Sequence, residues 1–406
     1  MIRRTIGTCL IVLILSAAYG LSGLAPTTAA DQRLDGRTIF RFDTFGDEQL
    51  WTDVLRMHEA IATVDPMTAL SVGLKVDVDA LPPDILAALK AGLVDLRSPA
   101  TTIELIRLNA VVGIVGTVNG SGHLTRVGTT CALCHSSVDD SFMPGIGRRL
   151  DGWANTDLNV GAIVALSPAP EISDALKAEL NTWGPGKYDP RHHVFDGTNL
   201  TILNPRSLPV VIPPAYGLKH VGFETYTGDG PISYWNSYVG VSQMGGHGNF
   251  SDKRIKLFIS QTPPDLVTPK LPALLDYQLS LATPNAPEGS FNRQAASRGR
   301  QLFRNEARCA SCHAGPTYTD VLSSPQATVP VLHEPTEIGT EPVYATRSAT
   351  GKYRTTPLRA LWQHPPYFHD GSAADLAAVV EHYNTQFGLN LSAAQKADLV
   401  EFLKSL

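Results

Sequence analysis

Two five-residue strings, Cys131-Ala132-Leu133-Cys134-His135 and Cys309-Ala310-Ser311-Cys312-His313, constrain this chain more than anything else in it. Each sets two thiols three positions apart with a histidine directly after. That is the attachment signature of c-type haem: the thiols add to the vinyl groups and the histidine ring ligates iron from one face. Zinc would want four protein ligands per site, and no second cysteine pair stands near either string. A disulfide framework would be unusual in a chain of 406 residues, and a thiol redox motif would not need the same histidine twice. The fifth cysteine, Cys9, lies in the N-terminal apolar run. The expectation is therefore two covalently bound haem c groups, attached at Cys131, Cys134, Cys309 and Cys312, with His135 and His313 on iron.

The chain begins Met1-Ile2-Arg3-Arg4, continues with an apolar run over 6–24, and reaches Thr28-Ala29-Ala30. This is the layout of a cleaved signal peptide over 1–30 and implies export to the periplasm. An uncleaved membrane anchor is the alternative, but the apolar core over 10–18 is short, and Gly20 and Gly23 interrupt the residues after it. No later stretch is apolar for long enough to span a bilayer, so no stable membrane insertion is expected after cleavage. The remaining ~375 residues suit two domains. A net charge of −5 offers no surface for nucleic acid.

Along the chain, 50–112 reads as mainly helical, and 168–214, rich in proline, glycine and asparagine, reads as loops with short helices. The proline-rich stretch 263–287 is the expected linker, with 271–281 able to pack as a helix across it. Arg298-Gly299-Arg300-Gln301-Leu302-Phe303 leads into Cys309 as a short helix. The chain closes on an amphipathic helix with Ser392 as N-cap and Leu399, Phe402 and Leu403 on one face. A weak repeat sets Asn204-Pro205-Arg206-Ser207-Leu208-Pro209 and Tyr226-Thr227-Gly228-Asp229-Gly230 beside Arg354-Thr355-Thr356-Pro357-Leu358-Arg359 and Tyr367-Phe368-His369-Asp370-Gly371.

That second set, continued by Val379-Val380-Glu381-His382-Tyr383, closely resembles the second domain of bacterial di-haem cytochrome c peroxidases and MauG-type enzymes. The resemblance is specific over 290–406 and diffuse before it. It implies a mainly α fold of two cytochrome c-like haem domains facing each other, at 31–285, with long loop insertions, and at 290–406. One haem would transfer electrons and the other would meet peroxide. In the family the distal ligand of the second haem lies fourteen residues beyond the His-Asp-Gly histidine, as methionine in the peroxidases and tyrosine in MauG-type enzymes; from His369 that position is Tyr383. Composition agrees, since the methionines are Met1, Met57, Met67, Met143 and Met244, none of them in the second domain. His382, His369, His364 and His333 are the other candidates.

At the first haem the repeat sets Ser242 opposite Tyr383, and serine is a poor iron ligand, so an open iron that binds peroxide or dioxygen is expected. The family's distal glutamate has no counterpart between Gly230 and Pro287. His247, with Gln243 before it, is the candidate for moving the proton that peroxide cleavage requires. The family's calcium would fall on Asn159 or Asn155 with the carbonyls of His364 and Pro366, and its inter-haem tryptophan is replaced by Gly228, leaving Tyr226, Trp235 and Trp362 as substitutes. The leading function is peroxide reduction with a small redox protein as electron donor. A MauG-like or rubber-oxygenase-like oxidation of a protein or organic substrate is the second. The third is an electron carrier with two saturated haems, its first iron closed by His192, His193, His220 or His247.

Overall fold

The computed structural model describes residues 34–321 and 330–406; the expected signal peptide at 1–30 lies outside them. From Leu34 to Leu406 the chain forms one compact unit. Among the described residues no helix is long and apolar enough to cross a membrane.

In chain order the elements that position the two strings are α1 (Gly36–Phe42), the hairpin β1–β2 (Ile114–Val118 and Leu124–Thr129), α2 (Ala132–His135), the pair β3 (Ser136–Val138) and β4 (Arg149–Asp151), and α3 (Val160–Ala165). Next come β5 (Lys187–Tyr188), β6 (His193–Phe195), β7 (Leu200–Ile202), β8 (Val210–Val211), α4 (Ile232–Tyr238), α5 (Leu271–Ser280), α6 (Arg293–Arg304), α7 (Leu376–Gln386) and α8 (Ala393–Lys404). The expected helix across the proline-rich stretch forms as α5.

The mainly α expectation is corrected to a mixed fold: 37% of the described residues are helical, and the described strands pair into seven two-stranded sheets. Several strands lie in 168–214, where only loops and short helices were expected. Strands of two or three residues, such as β5 and β8, are too short to show an alternating pattern, and the prolines and glycines around them read as turns.

Around the second string the sequence explains the packing directly. Ser392 caps α8 by accepting from the Gln395 N–H, and the Gln395 side chain returns the bond, a capping box worth about 1 kcal/mol. Leu399, Phe402 and Leu403 are buried against Phe303 and Leu376, each removing apolar surface worth about 1.5–3 kcal/mol. Gly299 lets α6 cross α8 at close range, because a Cβ there would lie 2.0 Å from the Asp398 carbonyl oxygen. The first string sits between two larger cores. Cys134 packs on the one containing Leu133, Ile146 and Leu158, and Cys131 on the one containing Phe40, Trp235 and Tyr238.

Candidate functional site

Both motif histidines are oriented in the same way. His135 Nδ1 lies 3.0 Å from the Pro213 carbonyl oxygen, and His313 Nδ1 lies 2.9 Å from that of Tyr318. A carbonyl only accepts, so each Nδ1 carries the proton and each Nε2 is left with its lone pair, the form in which imidazole binds a metal. Burial lowers the pKa of both rings and keeps them neutral. It also pushes the Cys131 and Cys134 thiols up to about 12 and Cys309 to about 11, so none of the three carries charge near neutral pH.

Cys309, Cys312 and His313 open into a cavity of ≈ 840 Å³, a size suited to a cofactor. Tyr383, on α7, lines it, and burial raises its hydroxyl to about 12, with the two motif thiols adding to the shift. Its neighbour His382 does not line it: His382 Nε2 meets the Ile338 carbonyl at 2.9 Å and the ring packs on Phe368 at 4.8 Å. His333, His364 and His369 also border the cavity. His333 is held by Glu337 at 3.0 Å and Thr355 at 3.0 Å, and His364 Nε2 lies 3.4 Å from the Arg359 carbonyl. His369 Nε2 meets the Tyr353 hydroxyl at 3.2 Å. His369 Nδ1 and Arg354 Nε are buried without a partner, and both residues stand in this wall. Two unsatisfied polar atoms beside an apolar space fit a flat apolar group with anionic edges, as haem is. Cys309, Cys312 and His313 would hold it.

At the first string, Cys134, His135, Tyr188 and His193 are each half-buried. Burial raises the Tyr188 hydroxyl, with the Tyr238 hydroxyl and the Cys134 thiol adding to the shift, which sets Tyr188 near Cys134. A polar network runs from Tyr188. The Gln243 amide donates to the His193 carbonyl at 2.9 Å, which commits its Oε1 to accept from the Tyr188 hydroxyl at 2.7 Å. The Tyr188 oxygen then takes its second bond from His193 Nε2 at 3.2 Å, leaving the lone pair on His193 Nδ1. Burial lowers the His193 pKa to about 3, so this ring is a neutral acceptor. Gln243 is aimed inward by a widened helical turn over Val239–Gln243, continuous with α4, a feature frequent at functional sites. Ser242 is fully buried and donates to the Tyr238 carbonyl at 2.6 Å.

The structure thus brings Gln243 to the first site but does not join His247 to it. His247 Nε2 lies 2.6 Å from the Thr262 carbonyl and Nδ1 3.3 Å from Gln49 Oε1, both in a separate loop contact. Sequence reasoning missed Tyr188 and His193 as a pair. They flank a turn in a region whose prolines and glycines hid β5 and β6, and only the His192-His193 doublet hinted at them.

One segment serves both sites. Pro213, whose carbonyl holds His135, and its neighbours Val211, Ile212 and Pro214 form one wall of the second cavity. Strand β8 pairs with β5 so that Val210 faces Tyr188 across the ladder. From the other side Tyr226 donates to the Val211 carbonyl at 3.0 Å. Of the aromatic candidates, Tyr226 lines the second cavity, Trp235 donates to the Glu224 carbonyl at 3.1 Å, and Trp362 packs on Trp153 at 5.8 Å. Trp153 follows Gly152, whose N–H donates to the His135 carbonyl at 2.8 Å, and the sequence did not single it out.

On the Asn159 side the calcium ligand set does not fit a dication. Asn159 accepts from the Ala162 N–H at 3.0 Å and caps α3. Its backbone bridges to Lys187, whose ammonium donates to the Asp370 carbonyl at 2.8 Å. The Lys187 stem and the Pro366 ring both approach Gly371, within 3.2 Å and 2.9 Å of where a Cβ would stand. A cation is already built into this corner, and a second would be repelled. Asn155, the other candidate, spends its Nδ2 on the Gly73 and Leu133 carbonyls and keeps a buried, unpartnered Oδ1.

No family model matches the chain. It is similar to the cytochrome-c peroxidase IdrP2 of Pseudomonas sp. (strain SCT), at 31% identity with 33% of this chain and 47% of that protein covered. It is also similar to the methylamine utilization protein MauG of Methylorubrum extorquens, at 30% identity with 33% and 42% covered. The chain spans about half the length of the curated relatives it matches. A solved MauG-like protein associated with microbial copper homeostasis aligns at 19% identity and a TM-score of 0.36, over 49% of this chain and 74% of that one, a likeness too low to carry an argument about shape.

Proposed function

We propose that this chain, whose curated relatives are di-haem cytochrome c peroxidases and MauG, is an exported di-haem cytochrome that reduces hydrogen peroxide at the His135 site with electrons drawn through the His313 site. The balance is one peroxide, two electrons and two protons giving two waters. Bound at the two strings, haem c would supply the redox chemistry; the protein supplies ligands, proton handling and insulation. The observation that carries the reading is the Gln243–Tyr188–His193 network, whose Tyr188 lies near Cys134. His193 Nδ1 is a neutral acceptor able to take a proton from peroxide, and Gln243 fixes the hydroxyl that fixes His193. Tyr383 lines the second cavity together with His313 and would close that iron, which suits electron handling, while His247 stands in a separate loop contact.

Tyr383 in the second cavity favours a second reading, a MauG-like oxidation of a protein or organic substrate, because an anionic oxygen ligand favours ferric and higher iron. Electron paramagnetic resonance of the ferric holoprotein tests both, with a high-spin first haem that reacts with peroxide as the expected result. Two low-spin haems inert to peroxide would overturn both readings and leave an electron carrier in which His193 closes the first iron. Peroxide consumption only in the presence of a protein substrate would favour the second reading over the first. Loss of a second-haem feature in Tyr383→Phe assigns that ligand; an unchanged spectrum passes the role to His333, His364 or His369.

A further inference from the structure

The rim of the second string carries a run of positive charge in which Arg298 is paired with Asp398. Arg293, Arg300 and Arg304 stand seven and four residues apart on α6, along one face, and Arg308 follows just before Cys309. All four are exposed. From Arg293 to Arg308 there are five arginines and one glutamate, a charge of 5 − 1 = +4. The whole chain carries −5, so the rest of it carries −9.

Two neighbouring carboxylates are already engaged, and Glu306, within the run, is exposed. Asp398 is held by Arg298 at 2.6 Å and Glu401 by Lys404 at 2.7 Å. Among the described residues no carboxylate pairs with Arg300, Arg304 or Arg308; Arg300 lies over the Phe402 ring at 5.8 Å, and Arg308 reaches only the Phe387 carbonyl at 3.5 Å. Arg304 and Arg308 border the cavity mouth, and beside them Ser311 is exposed and Cys312 half-buried. The motif edge therefore meets solvent inside a rim in which arginines outnumber carboxylates.

We propose that this arginine face of α6 is the docking surface for an acidic electron-donor protein that reduces the second site. The inference rests on the reading of that site as the electron-handling one. The run from Arg293 to Arg304 spans about 16 Å of helix at 1.5 Å per residue, too long for one small anion and suited to a patch of acidic side chains. Opposite charge at such a rim steers encounter and raises association rates by about 10–1,000-fold at low ionic strength. With haem c held by Cys309, Cys312 and His313, each encounter would pass one electron from the reduced donor to it, leaving the donor oxidised by one.

The test uses the full chain with both haems, mixed rapidly with reduced plastocyanin as an acidic copper donor, with a reduced basic cytochrome c, and with an uncharged reducing dye. The acidic donor should reduce the second haem at least about tenfold faster at 10 mM than at 200 mM salt, and Arg293→Glu/Arg300→Glu should remove most of that difference. The same variant should leave reduction by the dye unchanged and speed reduction by the basic cytochrome. A salt-independent rate with the acidic donor, unaltered by the charge reversals, overturns the docking proposal while leaving the functional reading standing. Failure of the dye to reduce the second haem in the parent protein overturns both.

Discussion

The ring of His135 and the carbonyl of Pro213, 78 positions apart in sequence, are joined by a hydrogen bond of 3.0 Å. Pro213 also belongs to the wall of the cavity that serves His313. A displacement of this segment is therefore felt at both motif histidines. Tyr226→Phe deletes the bond to the buried Val211 carbonyl and should cost about 1 kcal/mol, read by chemical denaturation. It should also perturb the optical spectrum of the first haem, whereas Tyr234→Phe, whose hydroxyl bonds Asp252 at 2.8 Å, should not. Equal spectra for the two variants would break the mechanical link.

Peroxide reactivity separates the proton handlers. His193→Ala should slow the reaction of the ferric protein with peroxide by about 10²–10⁴-fold, the usual worth of a positioned acid or base. Tyr188→Phe should slow it less, since His193 remains but loses its anchor. His247→Ala should change it by under about twofold. Rapid-mixing kinetics of all three variants decide the matter, and a large effect at His247 would reverse the assignment.

Acid should weaken the fold before the carboxylates titrate. Burial lowers His193 to about 3 and His364 to about 4, against about 6.5 in the unfolded chain. Between those values the unfolded state binds more protons, so stability is present above about 6.5 and is lost as pH falls. From pH 7 to 4.5 the loss should be on the order of a few kcal/mol, and His193→Phe should flatten the profile. Urea denaturation at several pH values measures it, and a wild-type curve already flat over this range would rule out neutral buried imidazoles.

Chelation should do nothing. With the Lys187 ammonium beside Asp370 and Pro366, overnight treatment with EDTA should leave the thermal midpoint unmoved. Lys187→Ala should destabilise by about 1–3 kcal/mol, the cost of an abandoned charge-assisted bond. A calcium-dependent midpoint in the parent protein would show that Asn155 or another oxygen donor completes a site.

Gly299→Ala tests the α6–α8 crossing. Its Cβ would fall 2.0 Å from the Asp398 carbonyl oxygen, a backbone atom that cannot swing aside. The expected loss is about 1–3 kcal/mol by denaturation, with the haem spectra retained. No loss would mean that the helices slide apart freely.

The second half is more legible than the first for a physical reason. Around His313 the determinants are local: an N-cap at Ser392, an apolar stripe of Leu399, Phe402 and Leu403, and a string whose histidine is held by Tyr318, five residues on. Around His135 they are remote in sequence. Pro213 lies 78 positions away and Gln243 meets Tyr188 across 55. Such pairs leave no periodic trace, which is why the sequence sets Gln243 beside His247 while the structure bonds it to His193.

The shared wall has one more consequence. A fragment spanning 290–406 would keep Cys309, Cys312, His313 and Tyr383, yet its cavity would be missing the side that 211–214 provides. Cut from the rest, the cofactor it attached would be bathed in water on that flank. The second half therefore borrows a wall from the first, and its room is not finished until that wall has been built.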